Sequence, residues 1–128
     1  MDRQRTRSPL ARAIGLGSAK SGVEHWWAER VSAVALVPLT LWFVASMIAH
    51  TRSDYAGFIT WLKEFPTTIL MILLLVALFY HTALGLQVVI EDYIHSGLKF
   101  AAVVAVRLGC FAIATIGIFA TLHIAWGL

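Results

Sequence analysis

Three apolar stretches dominate this sequence of 128 residues, and each exceeds the roughly 20 residues a helix needs to cross the hydrocarbon core of a bilayer. They run from about 26 to 49, 66 to 90 and 98 to 126. The expected fold is therefore all-α, an integral membrane bundle of three transmembrane helices. The side-chain balance argues against a water-soluble domain, because 59% of residues are hydrophobic and only 13% charged, whereas soluble domains carry about 25% charged residues. The chain divides into a basic arm over residues 1–25 and a membrane domain over 26–128. No room is left beside the spans for a catalytic domain of the usual 100 to 150 residues or so.

Pro38 falls inside the first span, where it deletes one backbone donor and is expected to kink the helix, a defect that neighbouring helices can cover in a membrane. Pro66 suits a helix start, where its missing N–H has no partner to lose. Residues 50–65 mix charges with Tyr55, Phe58 and Trp61, as expected of a short interfacial segment whose aromatics sit at headgroup level.

Charge sets the expected topology. Arg3, Arg5, Arg7, Arg12 and Lys20 are five of the ten basic residues, and Asp2 is the one acid among them. Next to apolar spans, such an arm is better explained by retention on the cytoplasmic side and attraction to anionic lipid than by nucleic acid. The expectation is a multi-pass protein of the bacterial cytoplasmic membrane with its N-terminus in the cytoplasm and its C-terminus opposite. An arginine-rich, acid-poor start also overlaps a mitochondrial presequence in composition, which makes the mitochondrial inner membrane the alternative. The first 23 residues contain no continuous apolar core, so no secretory signal is expected.

With one cysteine, Cys110, neither an intrachain disulfide nor a cysteine metal site is available. Histidine is left as the metal-ligating side chain, and His81 stands out. It lies about fifteen residues into the second span, near mid-bilayer at about 1.5 Å per residue. An imidazole at that depth is costly unless neutral and bonded. Its partner is either haem iron or a hydrogen-bonding group on a neighbouring helix. At about 100° per residue, Gly85, Val88 and Asp92 fall within about 40° of His81 on one face. Gly85 either leaves room for a flat macrocycle or permits close helix packing.

Asp92 and Tyr93 close the second span about 17 to 18 Å from His81 along the axis. Tyr93 alone would read as part of an aromatic belt, whereas an adjacent carboxylate points to a site that binds a polar head and handles protons. Arg30 opens the first span on the same side, after Glu24, His25, Trp26 and Trp27. It either snorkels to lipid phosphate or pairs with a carboxylate, whether Asp92, a haem propionate or an acid of a partner. Arg107 and Lys99 read as snorkelling cations. His25, His50, His95 and His123, near span ends, read as structural residues that water can solvate.

HTALGLQVVIEDY, from His81 to Tyr93, resembles the second helix of the hydrophobic membrane anchor of succinate dehydrogenase. GVEHWWAERVSA from Gly22 to Ala33 is similar to that family's first-helix opening with its arginine, and Trp126-Gly127 to its close. The sister anchor of the same enzyme, the cytochrome b subunit, is also a three-helix haem protein, but its second helix typically carries a Gly-x-Arg-His run after the ligand histidine. Here Gly85 is followed by Leu86, Gln87 and Val88, which favours the hydrophobic anchor over its sister.

The resemblance implies that His81 is an axial ligand of one b-type haem shared with a histidine of the cytochrome b subunit. It implies that Tyr93 hydrogen-bonds a ubiquinone carbonyl, that Asp92 is its acidic neighbour, and that Arg30 lies near the haem propionates and the quinone pocket. Some relatives carry a histidine six residues before this arginine. This chain has Glu24 there, with His25 beside it, and the pattern breaks at that position. The implied partners are the flavoprotein subunit, the iron–sulfur subunit, the cytochrome b subunit and the lipid bilayer. By itself the chain is expected to have no dehydrogenase activity, since it carries no flavin-binding fold and no cysteine cluster set. The competing readings are a fumarate reductase anchor working with menaquinone and a haem-free scaffold or assembly protein.

Overall fold

The structure is a computed structural model that describes the backbone of residues 18–127 and their side chains from 22 onward. The side chains of the five early cations lie outside the described residues. Four helices make up the described chain: α1 (Ser18–Ala49), α2 (Tyr55–Lys63), α3 (Phe65–Tyr93) and α4 (Leu98–Trp126). Three of them, over Gly22–Ala49, Phe65–Tyr93 and Leu98–Trp126, are long and apolar enough to cross a membrane. The expected all-α fold with three spans is the observed one.

The boundaries differ in two informative places. The second span continues to Tyr93, so Asp92 and Tyr93 belong to the last turn of α3 and not to a loop. Residues 50–65, expected as an interfacial segment, contain the nine-residue helix α2. Asp54 starts it, its Oδ1 accepting the Gly57 N–H at 2.8 Å, which satisfies one of the orphan donors of the first turn. Glu64 is both the C-cap of α2 and the N-cap of α3 in extended conformation, and Pro66 occupies the first turn of α3 as expected. The Thr68 hydroxyl meets Leu62 O at 3.0 Å and Glu64 O at 3.1 Å, tying the corner together. α1 is helical on both sides of Pro38. The chain leaves α4 at Gly127, whose φ of 69° is the left-handed conformation that glycine adopts without steric cost.

α3 is the central helix. It packs against α1 on one side and α4 on the other, while no Cα of α1 comes within 8 Å of α4. Along α1, His25, Glu29, Ser32, Leu36, Leu39, Phe43 and Ser46, with His50 just beyond its end, are each buried or half-buried. They alternate at spacings of four and three, the period of a helix seam. Between α3 and α4 the Leu75 side chain packs onto the backbone at Gly117, where an added Cβ would stand 3.2 Å from Leu75 Cδ1. This is the small-residue contact that membrane helices use.

Little of the apolar surface is covered by the chain itself. Among the described residues the buried hydrophobic side chains are Trp61, Leu74 and Leu84, while Val34, Phe100 and Phe111 are more than 70% exposed. In water such faces would aggregate. Lipid and partner helices are the surroundings that suit them.

Candidate functional site

His81 meets a partner on α1. Its Nδ1 lies 2.9 Å from Ser32 Oγ, and that hydroxyl also donates to Glu29 O at 3.0 Å. Ser32 is only 6% exposed, so the contact is sheltered inside the α1–α3 seam. Of the two kinds of partner open to His81, the helix-borne hydrogen bond is therefore present, and it engages one ring nitrogen. Among the described residues nothing hydrogen-bonds the other nitrogen, Nε2.

Gly85, one turn nearer the α3 C-terminus, has nothing within 4 Å of a Cβ built on it. It therefore mediates no close helix contact within this chain, unlike Gly117. What it leaves beside His81 is open space. An imidazole with one nitrogen held by the protein, the other without a hydrogen-bond partner among the described residues, and a side-chain-free position one turn away has donor chemistry that fits a haem iron.

Asp92 and Tyr93 are both exposed, Tyr93 at 82%. Arg30 is exposed as well, and its guanidinium sits over the Trp26 ring at 5.3 Å from the centroid, a cation–π contact. It makes no ion pair with Asp92. The cause is rotational: Arg30 is two residues from Ser32, about 200° around the helix, and Ser32 faces α3. Arg30 is consequently turned away from the face that carries His81, Gly85 and Asp92. The structure thus joins His81 to Ser32 and, among the described residues, shows no side-chain hydrogen bond or ion pair linking Arg30, Asp92 and Tyr93.

Three other expectations change. Arg107, expected to snorkel, binds α3: its Nε donates to Gln87 Oε1 at 3.1 Å, Nη2 donates to the same oxygen, and Gln87 Nε2 donates to Glu91 Oε1 at 2.8 Å. His50 is not simply solvated, because its Nδ1 donates to Ser46 O at 2.8 Å and its ring lies 4.7 Å from Trp61. Trp42 and Phe58 also meet Trp61, at 6.1 and 5.3 Å, so this cluster pins α2 to the end of α1. His25 buries its Nε2 without a hydrogen-bond partner among the described residues, contrary to the solvated state expected near a span end. A groove of about 520 Å³ between α3 and α4 is lined by Val76, Phe79, Tyr80, Cys110 and Phe111 among others. His81, Asp92 and Tyr93 do not line it, and its lining is mostly apolar, with Arg107, Thr115 and Tyr80 as its polar members.

The family of succinate dehydrogenase/fumarate reductase transmembrane subunits matches residues 4–116. A relative from Rickettsia bellii is 38% identical over 115 residues, covering 88% of this chain and 90% of the relative. The chain belongs to this family.

A second member, from Paracoccus denitrificans, is 31% identical over 123 residues, covering 94% of this chain and 93% of its own length. Both relatives are named succinate dehydrogenase hydrophobic membrane anchor subunit. The family match spans α1, α2, α3 and most of α4, and so contains every candidate site residue. Ser32 is not singled out by its residue type or by any motif. The signal that marks it is the four-three spacing of the α1 seam, in which Ser32 stands among residues turned inward.

Proposed function

We propose that this chain serves as the membrane anchor subunit of a succinate dehydrogenase and helps to hold one b-type haem and one ubiquinone. The observation that carries the haem assignment is the state of His81: Nδ1 is engaged by Ser32, and among the described residues nothing hydrogen-bonds Nε2, one turn from the open space at Gly85. His81 Nε2 would hold the haem iron together with a histidine of the cytochrome b subunit. When bound, the haem supplies a one-electron redox centre within the membrane. Arg30, which lies over Trp26 and is turned away from the His81 face, would reach a haem propionate only by leaving that ring, although a planar guanidinium suits such a carboxylate.

Ubiquinone is the substrate reduced in the membrane, and it takes up two electrons and two protons. Succinate oxidation and the delivery of those electrons belong to the flavoprotein and iron–sulfur subunits. The Tyr93 hydroxyl would donate a hydrogen bond to a quinone oxygen and stabilise the negative charge that develops there, as donors in an oxyanion site do. Asp92, in the same helical turn, would hold or relay a proton beside it. The exposure of both residues supports a site completed by other subunits. A cytoplasmic N-terminus in a bacterial inner membrane follows from the early cations and puts Asp92 and Tyr93 on that same side, where protons are drawn from the cytoplasm. The names of the relatives favour succinate oxidation over fumarate reduction with menaquinone, and the nitrogen of His81 left without a hydrogen-bond partner among the described residues, Nε2, favours a haem ligand over a haem-free scaffold.

The test is His81→Ala in the purified complex, read by the reduced-minus-oxidised optical spectrum and the haem-to-flavin ratio. Haem is expected to be largely lost while the complex still assembles. A full complement of b haem with an unchanged spectrum would remove His81 from the ligand set.

A further inference from the structure

We infer that Ser32 is a positioning residue for the haem ligand: it selects the tautomer of His81 and sets the plane of its ring. This rests on the reading of His81 as an axial ligand. A serine hydroxyl has one proton to donate and two lone pairs to accept with. Ser32 Oγ touches two groups, Glu29 O at 3.0 Å and His81 Nδ1 at 2.9 Å. A backbone carbonyl only accepts. One assignment makes both contacts hydrogen bonds: the hydroxyl proton goes to Glu29 O, and the His81 Nδ1–H donates to Ser32 Oγ. That places the neutral ring's proton on Nδ1 and its lone pair on Nε2.

The geometry around Ser32 keeps this arrangement in place. Ser32 is buried in the α1–α3 seam, its bond to Glu29 O is an i to i−3 contact within a helix, and its oxygen therefore cannot rotate away without breaking that bond. His81 is held from a different helix, 49 residues away in sequence, so the packing of α1 on α3 is converted into the orientation of one imidazole. Partners of this kind fix ring orientation and raise ligand basicity in metal sites. A better donor favours the ferric ion, so the hydroxyl lowers the reduction potential of the haem.

The experiment compares Ser32→Ala, Ser32→Val and Ser32→Thr in the assembled complex, with His81→Ala alongside. Thr keeps the hydroxyl, and Val has nearly the same shape without it. The readouts are haem-to-flavin ratio, haem midpoint potential, and the largest g value of the low-spin ferric haem, which responds to the relative planes of the axial rings. Ser32→Ala and Ser32→Val are expected to bind haem about tenfold to a hundredfold more weakly. The haem they retain has a higher potential and a displaced g value. Ser32→Thr restores both. If Ala and Val lose the haem entirely while Thr keeps it with the wild-type signal, the hydroxyl is again responsible. The inference is overturned if Ala and Val keep wild-type potential and g value, or if Thr departs from wild type as far as Val does. Failure of the underlying reading is separate, since it appears as haem retained in His81→Ala.

Discussion

Replacing Tyr93 by Phe removes one oxygen and leaves the ring, which makes it a sharp test of the quinone assignment. Tyr93 is 82% exposed and forms no hydrogen bond among the described residues. The hydroxyl therefore contributes nothing to the packing of this chain, and its loss should change stability by no more than about 0.5 kcal/mol. A headgroup-belt tyrosine would tolerate the change with no functional effect, because the aromatic ring is what anchors it. A hydrogen bond to a charged oxygen is worth about 1.5–3 kcal/mol. If that bond acts in the transition state of quinone reduction, its loss slows the step by about tenfold to a hundredfold. The assay follows succinate-dependent ubiquinone reduction in membranes at saturating succinate, where the quinone step limits turnover. Haem content and succinate oxidation with a soluble artificial acceptor are measured in parallel. Wild-type ubiquinone turnover in Tyr93→Phe under those conditions would refute the role of the hydroxyl and return Tyr93 to the aromatic belt.

The two glycines of the helix faces should respond in opposite ways. Gly85→Leu meets nothing within 4 Å in this chain, so the chain should insert and fold, but the haem-to-flavin ratio should fall several-fold as the side chain fills the space beside His81; unchanged haem content would place the macrocycle elsewhere. Gly117→Leu drives its side chain into Leu75, which lies 3.2 Å from the new Cβ, and overpacking of this kind costs about 1–3 kcal/mol; a lowered thermal midpoint of the detergent-solubilised complex is the expected readout, and an unaltered midpoint would show that α4 moves away freely. For orientation, a C-terminal reporter active only outside the cytoplasm should be active and a cytoplasm-dependent one silent, and the reverse pattern would overturn the topology drawn from Arg3, Arg5, Arg7, Arg12 and Lys20.

Much of this protein is legible in its sequence because bilayer thickness and helix geometry act on each helix separately. Hydrophobic length alone marks the three spans, and the third coincides with α4 from Leu98 to Trp126. Pro66 marks the start of α3 through its missing donor. The depth of His81, and its shared face with Gly85 and Asp92, follow from counting residues along one helix. The link between helices is another matter. Ser32 is an inconspicuous small residue in an apolar run until α1 is rotated and set in register against α3, and only then does its oxygen come 2.9 Å from His81 Nδ1. The same rotation turns Arg30 toward Trp26 and away from Asp92, a pairing that the sequence left open. The tertiary structure also decides that Gly85 borders open space while Gly117 carries a close contact, although both are glycines in equally apolar helices. The physical reason is that rotation and register between helices are set by the packing of many side chains at once, with no periodic signature in either segment alone, whereas length, depth and face are properties of a single helix in a slab of fixed thickness.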